Sequence, residues 1–156
     1  MGAGQRRPNG PSDGSVSRTA TLAIDFAAGL YASLLVAATH YPRPQDLLGP
    51  NPPSDKILHF LAYAGLGVLA ATSASARGGW NGPRVTLMAL ALAVFAALDE
   101  VTQPWFGRAV DGFDWLADLA GLAVGIGVVV LFTSRRTAPA APADALPADT
   151  PPDSAS

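Results

Sequence analysis

Three stretches of this chain carry side chains able to move protons or hold charge. The first is Asp55-Lys56-Ile57-Leu58-His59-Phe60, followed by Tyr63. The second is Asp99-Glu100-Val101-Thr102-Gln103, and the third runs from Arg108 through Asp111 and Asp114 to Asp118. On a helix Lys56, His59 and Tyr63 stand at i, i+3 and i+7, so they share a face, which Gly67 extends. Asp99 and Gln103 stand at i and i+4, as do Asp114 and Asp118, whose stripe continues through Gly121 and Gly125. Brought together, these groups supply a carboxylate base (Glu100 or Asp99), an imidazole acid or orienter (His59) and a guanidinium for an anionic group (Arg108). The plainer reading of the same residues is a set of interfacial ion pairs that fix helix register.

Metal chemistry is the less expected use. His59 and the carboxylates are suitable ligand types, but neither H-x-x-x-H nor H-E-x-x-H occurs, so no metal ligand and no cofactor is assigned. His40 reads as an interfacial histidine. The chain has no cysteine, which excludes disulfides, thiolate metal sites and thiol nucleophiles. A formal charge of −2 without a basic stripe argues against a nucleic-acid partner.

The elements that must position these residues are apolar. Charged residues are 14% of the 156, against about 25% in an ordinary soluble domain. Mean hydropathy is +0.28. Proline marks helix boundaries, and the proline-free intervals coincide with four apolar runs: Thr21–Thr39, Ile57–Ala76, Val85–Val101 and Trp115–Phe132. Each approaches the roughly 20 residues that cross a hydrocarbon core as a helix. Four such helices would leave a soluble protein too little polar surface. The expected fold is therefore all-α: a four-transmembrane-helix bundle over residues 19–133. Residues 1–18 and 134–156, rich in Gly, Ser, Pro, Ala and Asp, read as disordered cytoplasmic tails. The first run is expected to stay as an uncleaved span, since it is long for a signal peptide and contains Asp25.

Basic residues orient the bundle. With the amino terminus inside, the inner segments carry Arg6, Arg7, Arg18, Arg77, Arg84, Arg135 and Arg136, and the outer ones Arg43, Lys56 and Arg108. Both termini are therefore expected in the cytoplasm. The three chemical stretches then meet in one outer layer. There Arg43, Lys56 and Arg108 face Asp46, Asp55, Asp99, Glu100, Asp111, Asp114 and Asp118, a net of −4. A shared proton or a bound cation is the expected compensation. Trp80, Trp105, Trp115 and Tyr41 fit an aromatic belt. The Gly121/Gly125 stripe suits close helix packing, within one chain or in a homo-oligomer.

The order Asp55-Lys56-x-x-His59-Phe60-x-x-Tyr63, Glu100-x-x-Gln103, Gly107-Arg108, Asp114, Asp118-x-x-Gly121-x-x-x-Gly125 resembles the VanZ-like family of small bacterial membrane proteins, over about Ser54 to Val130. The resemblance implies a multi-pass protein of the bacterial plasma membrane and cell envelope. It also brings an accessory role in glycopeptide resistance, teicoplanin in particular. Carried over residue by residue, it marks Asp55, Lys56, His59, Tyr63, Glu100, Gln103, Arg108, Asp114, Asp118 and Gly121. Glu100 and His59 are the candidates for catalysis. Arg108, Lys56, Gln103, Tyr63, Asp114, Asp118 and Asp55 are the candidates for substrate binding. Many relatives carry Asn where this chain has Asp118, so the layer here is more acidic than the family pattern.

Two functions follow. One is an outward-facing polar site that binds or modifies a cell-envelope or lipid-linked intermediate. The other is a non-catalytic membrane scaffold or partner subunit whose polar layer only fixes helix packing. A transporter would have to oligomerise, since the four spans contain no internal repeat.

Overall fold

The computed structural model describes residues 17–43, 48–49, 51–78 and 80–136. Helix α1 spans Arg18–Thr39, α2 Asp55–Ala76, α3 Gly82–Thr102 and α4 Gly112–Arg136; a single 3-10 turn, Gln103–Phe106, extends α3. All four are long and apolar enough to cross a membrane. The expected tails, beyond Ser17 and Arg136, lie outside the described residues, as does Asp46.

Local chemistry sets the helix ends. The Ser17 side chain accepts the Ala20 N–H at the start of α1. Asn81 does the same for Arg84 at the start of α3, with Pro83 in the first helical turn, where its missing donor costs nothing. Pro104 follows α3 and tightens the chain into the 3-10 turn, and Gly107 ends that turn at φ 78°. That left-handed conformation is one glycine adopts without a Cβ penalty.

Helices α2 and α4 form the central pair, with α1 packed on α2 and α3 on α4. The glycine stripe explains why the central pair is so close. A Cβ at Gly121 would run into the Phe60 carbonyl oxygen of α2, and one at Gly125 into that of Ala64. Gly67 answers from α2, where a Cβ would lie 2.9 Å from the Leu122 carbonyl oxygen. The stripe therefore packs inside the chain, the first of the two uses open to it, and α2 covers that face. Leu35, Tyr63, Leu66, Ala96 and Leu122 form one buried cluster from all four helices, and Ala71, Ile126 and Val129 a second. Phe26, Leu87, Leu90, Leu116 and Phe132 are exposed on the outer faces, as lipid contact requires.

Because neighbouring helices alternate in direction, the C-terminal ends of α1 and α3 and the N-terminal ends of α2 and α4 share one end of the bundle. Arg77, at the C-terminal end of α2, marks the opposite end. It pairs there with Asp25 and donates to the Ser73 hydroxyl, which itself donates to Asp25 at 2.6 Å. Trp80 donates its Nε1–H to Thr133 Oγ1 at 2.6 Å, also at that end. Trp105 is exposed at the polar end, as a belt residue would be, whereas Trp115 is half-buried against the first cluster.

Candidate functional site

The polar end of the bundle is built in two tiers. In the outer tier, Lys56 at the start of α2 reaches Asp111 at 2.7 Å and Asp114 at 3.3 Å, bridging to the start of α4. Its ammonium also lies 5.9 Å from the Phe113 ring centroid. Asp111 sits in the connection between α3 and α4. The bond from Lys56 holds its carboxyl below the usual range, with help from the Phe113 N–H at 2.9 Å. Arg108, in the same connection, ties α1 to α2. It donates to the Thr39 carbonyl at 2.8 Å and pairs with Asp55.

The inner tier is buried, and among the described residues no lysine or arginine side chain bonds to its carboxylates. His59 Nδ1 lies 2.9 Å from Asp118 Oδ1, with both side chains inside the bundle. Glu100 accepts the Asp111 backbone N–H at 2.5 Å and the Gln103 amide at 3.1 Å. Asp99 accepts from Thr39 at 2.9 Å and from the Tyr63 hydroxyl at 3.0 Å. His40 completes that corner: its Nδ1 lies 3.4 Å from Asp99, its Nε2 2.9 Å from Thr102 Oγ1, and its ring meets Phe106 edge-on at 4.7 Å. Buried atoms with no hydrogen-bond partner also gather here: Gln103 Oε1, Asp118 Oδ2 and Trp115 Nε1.

Beside these tiers, between α1 and the start of α2, lies a half-open groove of about 280 Å³. Its walls are mainly apolar, with Ala38, Leu58 and Ala62 among them, and its polar residues are Thr39, Tyr41, Asp55, His59 and Arg108. The candidate residues thus divide. Asp55, His59 and Arg108 line the groove. Lys56 and Asp114 pair with each other beside it. Tyr63, Glu100, Gln103 and Asp118 stand behind it, in the buried tier.

All nine candidate residues come to one end of the bundle. Thr39 and His40 belong to the same end and were not among them. The signal was available: the first span ends at this boundary too, so its last residues join the layer. Two sets of side chains bring ligand atoms within 4.8 Å of one another: Asp55, His59 and Asp114, and His59, Glu100 and Asp118.

A family model described as VanZ/LLP1 matches residues 25–133, which takes in two whole spans, most of the first and last, and every residue of both tiers. No curated protein and no solved structure matches the chain.

Proposed function

The chain belongs to the VanZ/LLP1 family, and from that premise we propose that it serves the bacterial cell envelope by binding an anionic, lipid-linked or cell-wall intermediate in the groove between α1 and α2. The observation that carries this reading is the pairing of an apolar cleft with Arg108 in its lining. An acyl or polyprenyl chain suits the walls. A phosphate or carboxylate suits a guanidinium, which presents a planar fork of donors. His59 opens onto the same groove, and Asp118 holds it from behind, so its ring is oriented toward whatever occupies the cleft. In this reading Arg108 binds, Asp55 positions Arg108, and His59 is the group placed to hand over or take up a proton. An accessory role in teicoplanin resistance or envelope homeostasis is the physiological setting the family suggests.

Orientation supports the same reading. The end opposite the polar tiers carries Arg77 and Arg84, which favours placing it in the cytoplasm and the groove outside.

The test uses the full chain in nanodiscs and a polyprenyl phosphate as the probe. Arg108→Gln is expected to weaken binding roughly tenfold to a hundredfold, the worth of one charge-assisted contact. Ala38→Leu, which fills the groove without touching a charge, is expected to weaken it as well. Equal binding by wild type and both variants overturns the reading.

The scaffold reading is favoured by one feature: Lys56 and Arg108 already have carboxylate partners within the chain. It predicts that Lys56→Glu with Asp111→Lys restores folding and function together. A well-folded but inactive double variant removes it.

A further inference from the structure

The two tiers differ in how their carboxylates are compensated. In the outer tier, Lys56 faces Asp111 and Asp114, and Arg108 faces Asp55. In the inner tier, Glu100 and Asp118 have only an amide, a backbone N–H and an imidazole. Both are nonetheless buried, Asp118 at 0% exposure. A buried carboxylate with no lysine or arginine beside it at the edge of a bilayer is costly, and such groups mark places where something binds.

We propose that His59, Glu100 and Asp118 form a binding site for one divalent transition-metal ion, of the zinc or manganese class. Three observations support this. The ligand atoms of the three side chains lie within 4.8 Å of one another, one from each of α2, α3 and α4. Ligands of a tetrahedral zinc ion stand roughly 3.4 Å apart, so small side-chain rotations close the site. Independently, two acceptor oxygens of this tier have no donor: Asp118 Oδ2 and Gln103 Oε1, both on side chains with 0% exposure. A cation at this point would satisfy both acceptors, and the unpartnered buried donor of the same end, Trp115 Nε1, bonds to neither of them. Charge agrees, because a 2+ ion neutralises the two carboxylates while the imidazole stays neutral.

The donor set selects the metal. One imidazole and two carboxylates suit first-row ions, and calcium would ask for six or more oxygens. The alternative set, Asp55, His59 and Asp114, has both carboxylates engaged by Arg108 and Lys56, so it is the poorer site. The proposal does not depend on the groove's ligand. Metal binding is read without lipid, and failure of the polyprenyl-phosphate test leaves it standing.

The experiment uses the full chain in detergent, stripped with a chelator and titrated with zinc chloride or manganese chloride alone. One ion per chain is expected. Asp118→Asn and Glu100→Gln are expected to weaken binding by more than about tenfold, and Asp114→Asn by less than about twofold. Zinc-edge X-ray absorption on the wild-type protein, which needs no variant to fold, is expected to show one imidazole in the ligand shell. No saturable site in the wild type, a shell without imidazole, or an Asp114→Asn loss equal to that of Asp118→Asn would each overturn the proposal.

Discussion

Asp118 of α4 meets His59 of α2 across the centre of the bundle, carboxylate Oδ1 to imidazole Nδ1 at 2.9 Å, with both side chains almost fully buried. Their backbones can come that close because Gly121, one turn further along α4, presents no Cβ to the Phe60 carbonyl. The polar contact and the glycine contact are therefore two parts of one helix interface.

Removing one partner is expected to cost more than removing both. His59→Leu leaves the Asp118 carboxylate buried without its donor, at about 3–5 kcal/mol. The double variant His59→Leu, Asp118→Leu is expected to recover much of that loss. Unfolding of the chain in detergent, run as a double-mutant cycle, reads the coupling; additive losses would mean that the two side chains do not act as a pair.

The glycines give a sharper contrast. Gly121→Ala and Gly125→Ala each force a methyl group against α2 backbone, and are expected to destabilise by about 1–3 kcal/mol, the range for overpacking. At Gly127 a Cβ meets nothing within 4 Å, so Gly127→Ala is expected to be neutral or slightly stabilising. Thermal unfolding of the three variants side by side checks this. Equal losses at all three would show that helix flexibility, and not close approach, is the glycines' contribution.

Asp111 sets a pH dependence. Its folded carboxyl is held below the ordinary value by Lys56, so the stability it contributes is fully present above that ordinary value and disappears as pH falls through the lower folded one. The difference in unfolding midpoint between wild type and Asp111→Asn is expected to be constant from pH 7 down to about 5, and to shrink from about pH 4 downward. A difference that grows on acidification would reverse the sign and refute the Lys56 pairing.

At the opposite end, the Asp25–Arg77 pair is half exposed and screened. Arg77→Gln is expected to cost no more than about 1 kcal/mol. A larger loss, measured by the same unfolding assay, would mean that the Ser73 contacts of Arg77 anchor α2 more firmly than a surface pair does.

Much of this was legible in the sequence because a membrane imposes simple rules. Apolar length placed the four helices to within a few residues, and alternating direction put Lys56, His59, Glu100 and Asp114 at one end. Helical spacing also anticipated that Asp118, Gly121 and Gly125 share a face. What spacing could not supply was partner choice. Asp99 and Glu100 are adjacent in sequence and stand about 100° apart on α3, so one turns to Thr39 and Tyr63 and the other to Gln103 and the Asp111 N–H. Nor could spacing divide the layer into a groove and a buried tier. That division depends on where α1 lies against α2, which is decided by contacts such as the Tyr31 hydroxyl on the Ala62 carbonyl at 2.8 Å.

The backbone contact between α2 and α4 also decides which part of the molecule can yield. Two helices locked through glycine cannot slide or separate without losing van der Waals contact along their length, so they behave as a stiff keel. The cleft has one wall on that keel and the other on α1, which is held by the buried Leu35, by the Tyr31 hydroxyl on Ala62 and by polar contacts near both of its ends. Of the two walls, only α1 lacks a backbone-to-backbone glycine seam, so any adjustment to a bulky guest would fall on α1 and its side chains, and the keel would stay still.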